Sequence, residues 1–216
     1  MLHLLITSLL IFNPCKFTSF TRRNVITNTV MGHLYTSIKN NNNDEEKGLI
    51  RQFNNKIYYS GPINDQTIFA ITTGIITLQQ EPSITNIDLH IQSGGGALLP
   101  TLNLVDIIKN SDIPINTYVD GYAASAASLI SVVGAQRFIN KHGVILIHQL
   151  KMGVEYGKFS DIKDQTENAN TLMQIIKDIY LENTNLSLEK LEYLLDHDYW
   201  LNATTLKKYG LVDIIM

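Results

Sequence analysis

The stretch INTYVDGYAASAASLISVVGA, residues 115–135, contains the change of pattern that decides the fold class. INTYV (115–119) is an apolar extended run that predicts a strand, and AASAASLISVVGA (123–135) predicts a helix. The junction leaves two serines, Ser125 and Ser128, among alanines. A serine there is either a small packing residue at a helix start or a nucleophile held where a substrate backbone can come close.

Strands and helices alternate along the chain around this stretch. Strands are predicted where apolar residues run together or alternate, and helices where they recur at helical spacing. The predicted strands are 56–61, 86–93, 115–119 and 143–149, and the predicted helices are 67–80, 98–110 and 123–135. This order favours a mostly parallel sheet covered by helices, and therefore an α/β fold.

The last third of the sequence is mainly helical. A long helix is predicted at 160–182, with Ser160 as its N-cap. Two shorter helices are predicted, one from near Ser187 and one from near Asn202 to Gly210. Six apolar residues form a stripe along the long helix: Ile162, Ala169, Leu172, Met173, Ile176 and Ile179.

Length, charge and cysteine content narrow the class of protein. The 216 residues are enough for one core and too few for a clear second domain. The formal net charge of −3 gives no electrostatic reason to expect binding to nucleic acid, which needs a basic face. Cys15 is the only cysteine, so the sequence excludes an internal disulfide and a cysteine-rich zinc site.

The N-terminal residues differ in composition from the rest. Residues 1–43 contain no Asp or Glu and end in four asparagines. LLITSLLIF (4–12) is apolar but too short to span a bilayer. We expect residues 1–48 to be a disordered extension with a targeting or propeptide role, and residues 49–216 to form the folded domain. The expected compartment is the cytoplasm, with an organelle (plastid or mitochondrion) as the alternative.

Residues that suit catalysis follow three of the predicted strands: three glycines at 94–96, Ser125 and His148. A serine hydroxyl becomes a good nucleophile when a base takes its proton, and a third group orients that base. The G-x-S-x-G elbow is absent, because Ala123 and Ala127 occupy the positions of its glycines. From these residues alone, a serine hydrolase and a purely structural use of the serine and histidine both stay open.

Five short motifs occur in a recognisable order. They are SGGG (93–96), GYAAS (121–125), LIHQ (146–149), DYWL (198–201) and YGLVD (209–213). Together they resemble the proteolytic subunit of the ATP-dependent Clp protease, and the resemblance extends from about Ile50 to the C-terminus. It implies a crotonase-like α/β fold of repeated strand-strand-helix units, in which the helix 160–182 lies in a protruding helical handle.

The resemblance also implies the roles of individual residues. The catalytic serine, histidine and aspartate of the family fall on Ser125, His148 and Asp198, with Asp196 as the less favoured acid. Such a triad implies a serine endopeptidase that uses no metal and no cofactor in this subunit. ATP is then consumed only by a partner that unfolds the substrate.

The oxyanion hole of the family uses two backbone N–H groups, which here belong to Gly96 and Ala126. Residues without a Cβ let the backbone approach a substrate carbonyl, which gives the three glycines a physical role. The sequence departs from the family at three nearby positions. Gly94 and Leu150 replace usual prolines, and Ala127 replaces a usual glycine.

The resemblance implies an assembly as well as a reaction. The family encloses its sites in two stacked seven-membered rings, a tetradecamer that receives unfolded polypeptides from an AAA+ Clp-type unfoldase. No nucleic acid or membrane partner is implied. His197 stands where the family commonly has an arginine that helps to pair the rings. A histidine makes such a contact only when protonated, so we expect ring pairing to depend on pH.

Three other functions compete with this interpretation. The first is an inactive structural ring subunit, against which an intact Ser125, His148 and Asp198 argue. The second is a crotonase-fold acyl-CoA enzyme, which shares the two-amide oxyanion hole but needs no serine triad. The third is a signal-peptide-peptidase-like enzyme, which would need a lysine base, and no lysine of the sequence falls at a recognised position for one.

Overall fold

The computed structural model describes residues 48–153 and 157–216. The strands of this part of the chain are β1 (Leu49–Phe53), β2 (Lys56–Ser60), β3 (Ile87–Ser93), β4 (Ile115–Ala124), β5 (Arg137–Ile139), β6 (Val144–Leu146), β7 (Trp200–Asn202) and β8 (Ile214–Ile215). The helices are α1 (Asp65–Gln79), α2 (Leu98–Lys109), α3 (Ala126–Val132), α4 (Phe159–Asn183), α5 (Leu188–Leu195) and α6 (Ala203–Lys208). Apart from Gly48, the predicted N-terminal extension lies outside the described residues, so its disorder and its role stay predictions.

The strands form one mixed sheet whose centre is parallel. The hydrogen-bonded order is β1-β2-β3-β4-β5-β8, and a branch runs from β4 through β6 to β7. β1 pairs with β2, and β6 with β7, in antiparallel fashion, while the other pairs are parallel. The predicted α/β fold with a mostly parallel sheet is therefore confirmed.

Successive side chains of each strand point to opposite faces of the sheet, and the two faces differ. On one face, fully buried aliphatic residues such as Ile57, Leu89 and Val119 join the hydrophobic core beneath α1, α2 and α3. The opposite face carries a row of stacked rings across β2 to β5, with centroids 4.2 to 4.4 Å apart: Tyr58, His90, Tyr118 and Phe138. The helices therefore cover the face from which the core is built.

The strand-to-helix junction lies later in the chain than the sequence predicted. β4 continues to Ala124 instead of ending at residue 119, because its last residues pair with β6. α3 consequently starts at Ala126, and it ends at Val132 rather than near 135. Its end is set by Thr117, whose hydroxyl donates to the Ser131 carbonyl at 2.6 Å. Strand pairing therefore decides a boundary that alanine-rich composition had assigned to a helix.

The long helix α4 begins before its predicted start. Its N-cap is Lys158 and not Ser160, because the Asp161 carboxylate accepts the Lys158 N–H at 2.9 Å. Of the predicted apolar stripe, only Ile176 and Ile179 are buried within the described chain, and Tyr180 beside them is buried as well. The N-terminal half of α4 is largely exposed, and this half is called the handle below.

The later helices follow the predicted caps. Ser187 caps α5 through a hydrogen bond to the Lys190 N–H, and Asn202 caps α6 through the Thr205 N–H. Gly210 follows α6 with a φ of +70°, a conformation that glycine adopts at no steric cost. None of the helices in residues 48–153 and 157–216 is long and apolar enough to cross a membrane.

Candidate active site

Strand register brings the three predicted catalytic residues to one end of the sheet branch. Ala124 pairs with Leu146, and the Ser125 N–H donates to the Leu146 carbonyl at 2.9 Å. Leu146 in turn pairs with Trp200 on the antiparallel strand β7. Each step forward from Leu146 is therefore matched by a step back from Trp200, which sets His148 opposite Asp198. Residues 50 positions apart in sequence face each other through this pairing.

Ser125 occupies the sharp turn from β4 into α3. Its backbone angles are φ 55° and ψ −129°, in a region that non-glycine residues rarely adopt. A residue in such a conformation is strained by about 1–3 kcal/mol and persists only where its surroundings enforce it. Ala123 and Ala127, on either side, are fully buried. A strained strand-to-helix turn is the geometry that exposes the nucleophile in α/β-hydrolases.

The histidine and the aspartate face each other without a hydrogen bond. Nδ1 of His148 lies 3.7 Å from Oδ1 of Asp198, beyond hydrogen-bond distance. That nitrogen is buried and has no hydrogen-bond partner among the described residues. The Asp198 side chain is 60% exposed, and its other oxygen lies 3.2 Å from Nζ of Lys151. The carboxylate is thus shared between the histidine and a lysine.

The surroundings of His148 favour its neutral form. Burial lowers the pKa of His148 below its ordinary value, and the nearby Lys151 ammonium lowers it further. The negative charge of Asp198 opposes these two effects only in part. A neutral imidazole can accept a proton, so His148 has the protonation state that a general base requires.

The three glycines at the end of β3 have separate reasons to lack a side chain. Gly95, with a φ of +93°, packs on the nucleophile, because a Cβ there would lie 2.8 Å from Ser125 Cβ. Gly96, with a φ of +152°, packs instead on Ile63, whose carbonyl a Cβ would overlap. Gly94 is open, because a Cβ at that position would meet no atom within 4 Å. The loop thus approaches Ser125 most closely at Gly95.

The two predicted oxyanion-hole residues flank the place where Gly95 packs on Ser125, one on each of the two segments. Ala126 opens α3 directly after Ser125, and Gly96 follows the residue that touches Ser125. The loop is fixed by two hydrogen bonds of 2.9 Å, from the Ile63 N–H to the Gly95 carbonyl and from the Ala97 N–H to the Ile63 carbonyl. Among the described residues, no acceptor takes the N–H of Gly96 or of Ala126.

Two residues beside the site were not found from the sequence. Lys151 contacts Asp198 from a segment without regular structure, where no periodic pattern marks a position. Gly95 is one of the three glycines at 94–96, but the sequence does not indicate which of the three packs against Ser125. Asp196, the less favoured acid, ends α5 as its C-cap, and Asp198 is the one that faces His148.

Comparison with known protein families shows which family the chain matches. The family model described as Clp protease matches residues 41–216. The matched segment contains every residue that the structure describes, including all the candidate site residues. With the mixed sheet and its covering helices, the match confirms the crotonase-like α/β fold that the sequence motifs predicted.

Proposed function

Because the chain belongs to the Clp protease family of serine peptidases, we propose that it is an endopeptidase subunit of a self-compartmentalised, ATP-dependent protease. In this proposal Ser125 is the nucleophile, His148 the general base and Asp198 the acid that orients it. The observation that carries the proposal is the strained turn at Ser125, at the same end of the sheet branch as a partly buried histidine that faces a carboxylate and whose surroundings favour the neutral form.

The proposed reaction proceeds in two stages. The Ser125 hydroxyl attacks the peptide carbonyl while His148 takes the hydroxyl proton. The tetrahedral oxyanion then accepts hydrogen bonds from the N–H groups of Gly96 and Ala126. His148 then protonates the leaving amine, and an acyl-enzyme remains on Ser125. A water molecule, deprotonated by His148, attacks this ester, and His148 returns the proton to the Ser125 oxygen as the carboxylic acid product leaves.

Asp198 must move closer to His148 for this mechanism. The 3.7 Å separation has to shorten to about 2.7–3.2 Å for the carboxylate to accept the Nδ1–H, and catalytic hydrogen bonds are often long before substrate binds. The Lys151 contact favours a second candidate, a weakly active ring subunit, because it draws the carboxylate toward solvent. The two candidates differ in the rate at which Ser125 is acylated.

Labelling with a fluorophosphonate tests the proposal directly. The reagent forms a covalent bond with an activated serine, and mass spectrometry then identifies the modified residue. We expect stoichiometric label on Ser125 of the purified protein. Label at another serine would refute the assignment of the nucleophile, and absence of label would favour the structural subunit or the acyl-CoA enzyme.

We expect the acid limb of the kcat/KM profile to have its midpoint below about 6.5, the ordinary histidine pKa, because burial and Lys151 lower the pKa of His148. Only the neutral imidazole acts as base, so activity falls as the pH drops through the lowered pKa. Hydrolysis of a fluorogenic peptide between about pH 5 and 8 measures this limb. Lys151→Met should move the midpoint upward, and Lys207→Met, at an exposed lysine that does not contribute to the shift of the His148 pKa, should not. A wild-type midpoint above the ordinary value would contradict the prediction.

We also propose the ring assembly of the family, with the handle as the contact between two rings. The exposed half of α4 presents apolar side chains, Phe159 at 85% exposure and Ile162 at 46%, which an unpartnered helix rarely leaves in water. The proposed partners are six further copies in each ring, an AAA+ Clp-type unfoldase that consumes ATP, and unfolded polypeptides. The proposed subunit itself binds no cofactor.

The proposed pairing of the rings also involves His197. Its ring stacks on Tyr193 and Tyr199, with centroids 4.4 and 5.0 Å away. Nδ1 donates to the Tyr193 carbonyl at 2.6 Å, since a carbonyl oxygen can only accept. Nε2 therefore remains to meet a partner, and it becomes a cationic donor only when the ring is protonated.

We expect His197→Arg to make double rings more abundant at neutral pH, because the guanidinium is a permanent cation that can pair with a carboxylate across the rings. Analytical ultracentrifugation at micromolar concentration measures the ring populations. His142→Arg, at an exposed histidine far along the chain, should leave the ring populations unchanged. A monomer would contradict the ring assembly, while equal ring populations in His197→Arg and His142→Arg would contradict the role of His197.

A further inference from the structure

Three residues form a buried chain of hydrogen bonds that ends at the nucleophile. The Tyr180 hydroxyl of α4 lies 2.7 Å from Oγ of Ser128 in α3. That Oγ lies 2.5 Å from the carbonyl oxygen of Ser125, and the Ser128 N–H donates to the same carbonyl at 2.9 Å. Tyr180 and Ser128 are almost fully buried, with exposures of 2% and 0%. The hydrogen bonds of these two hydroxyls are therefore made to other groups of the protein.

The direction of each hydrogen bond in this chain follows from proton counting. The Ser125 carbonyl can only accept, so the single hydroxyl proton of Ser128 points at it. Oγ of Ser128 must then accept, and the Tyr180 hydroxyl donates. Burial raises the pKa of Tyr180 far above its ordinary value, so the phenol keeps this proton. Both side-chain hydrogen bonds are therefore donated in the same direction, from Tyr180 to Ser128 and from Ser128 to the carbonyl of Ser125.

The backbone of Ser125 needs this support because its conformation is strained. Its N–H is held by the Leu146 carbonyl of β6. Its carbonyl is held by Ser128 alone among the described residues, through the two donors of that residue. Ser128 is thus the second of two anchors on the nucleophile, and Tyr180 fixes the rotation of its hydroxyl.

We propose that Tyr180 and Ser128 are positioning residues that hold the nucleophile in its strained turn and tie it to the handle helix α4. The proposal deepens the proposed peptidase function and rests on it. Neither side chain reaches the substrate; both act through the backbone of Ser125. The sequence alone suggested only a packing role for Ser128.

The test compares Tyr180→Phe, Ser128→Ala and the double variant in the full chain. The Ser128→Ala and double variants should lower kcat about tenfold at unchanged KM, in line with the loss of one hydrogen bond to the carbonyl of the reacting serine. Ser128→Ala leaves the buried Tyr180 hydroxyl without an acceptor, so its Tm should fall by about 3–8 °C. The double variant removes both partners, and its Tm should recover most of that loss.

Ser131→Ala supplies the matched control. Ser131 is equally buried in α3, and its hydroxyl donates to the Ser128 carbonyl at 2.8 Å without reaching Ser125. We expect this variant to lower Tm and to keep kcat within about twofold. An equal loss of kcat in Ser131→Ala would overturn the proposal, and so would a double variant that recovers kcat together with Tm.

Amide hydrogen exchange separates this proposal from the proposed function. The Ser128 N–H is bonded to the Ser125 carbonyl, so its protection reports the order of the nucleophile's backbone in the absence of any substrate. Exchange in residues 125–129 should accelerate at least about fivefold in the double variant and stay unchanged in Ser131→Ala. Unchanged exchange in the double variant would overturn the proposal, whereas an unlabelled wild type would refute only the peptidase function.

Discussion

We expect Ser125→Ala to abolish peptide hydrolysis, with kcat lower by a factor on the order of 10⁵–10⁶, because members of a catalytic triad act as a unit. The fold should persist, since the Ser125 hydroxyl makes no hydrogen bond to the described residues and only one oxygen atom is lost. A fluorogenic peptide assay, thermal unfolding and sedimentation of the same preparation measure the three properties together.

Ser128→Ala is the internal comparison for this experiment. It lies one helical turn further along α3 and should keep kcat within about tenfold of the wild type, because its hydroxyl acts only through the backbone. If Ser128→Ala were inactive and Ser125→Ala active, the assignment of the nucleophile would be wrong. Loss of a cooperative unfolding transition in Ser125→Ala would mean that the strained turn requires the hydroxyl to form.

The second large effect is expected at Gly95. An alanine Cβ would lie 2.6 Å from the Ala124 carbonyl oxygen and 2.8 Å from Ser125 Cβ, at a φ of +93°. Both neighbours belong to the main chain or to the root of a side chain, so neither can rotate away. The loop or the nucleophile must shift, and a displacement of about 1 Å at a catalytic group lowers kcat by about a hundredfold.

Gly95→Ala should also lower the free energy of unfolding by about 1–3 kcal/mol, because of the strained φ. Gly94→Ala is the matched control one residue away. A Cβ there meets no atom within 4 Å, and we expect its free energy of unfolding to change by less than about 0.5 kcal/mol. Urea unfolding and kcat/KM of both variants measure the contrast. Equal activity in the two variants would contradict the close packing of Gly95 on Ser125.

The sequence predicted the parts of the fold that have a long, regular pattern. β3 and α2 agree with their predicted spans to within a residue, because seven to twelve residues suffice to show a period. β1, β5, β7 and β8 were not predicted. The run LIRQF of β1 shows no alternation, and the other three strands have only two or three residues, too few to show a period. Their existence depends on pairing with β4, β6 and β5, which are distant in sequence.

The sequence likewise predicted some features of the candidate site and not others. Ser125 and His148 follow strands that the sequence identifies, so their placement at strand ends could be predicted. The contact between Lys151 and Asp198 could not, because two exposed side chains meet across the end of a strand pair without a local signal. Neither could the role of Tyr180, whose helical position predicts burial but not the hydrogen bond to Ser128.

The pairing of β6 with β7 determines where the chain can tolerate insertions and deletions. Residues 147–199 leave the sheet at Leu146 and return to it at Trp200, directly opposite, and they include α4 and α5. Residues 147–199 thus form an excursion from the sheet whose two ends are held together, and the entropy of closing such an excursion changes slowly with its length. Insertions or deletions in the exposed half of α4 should therefore leave His148 and Asp198 in register.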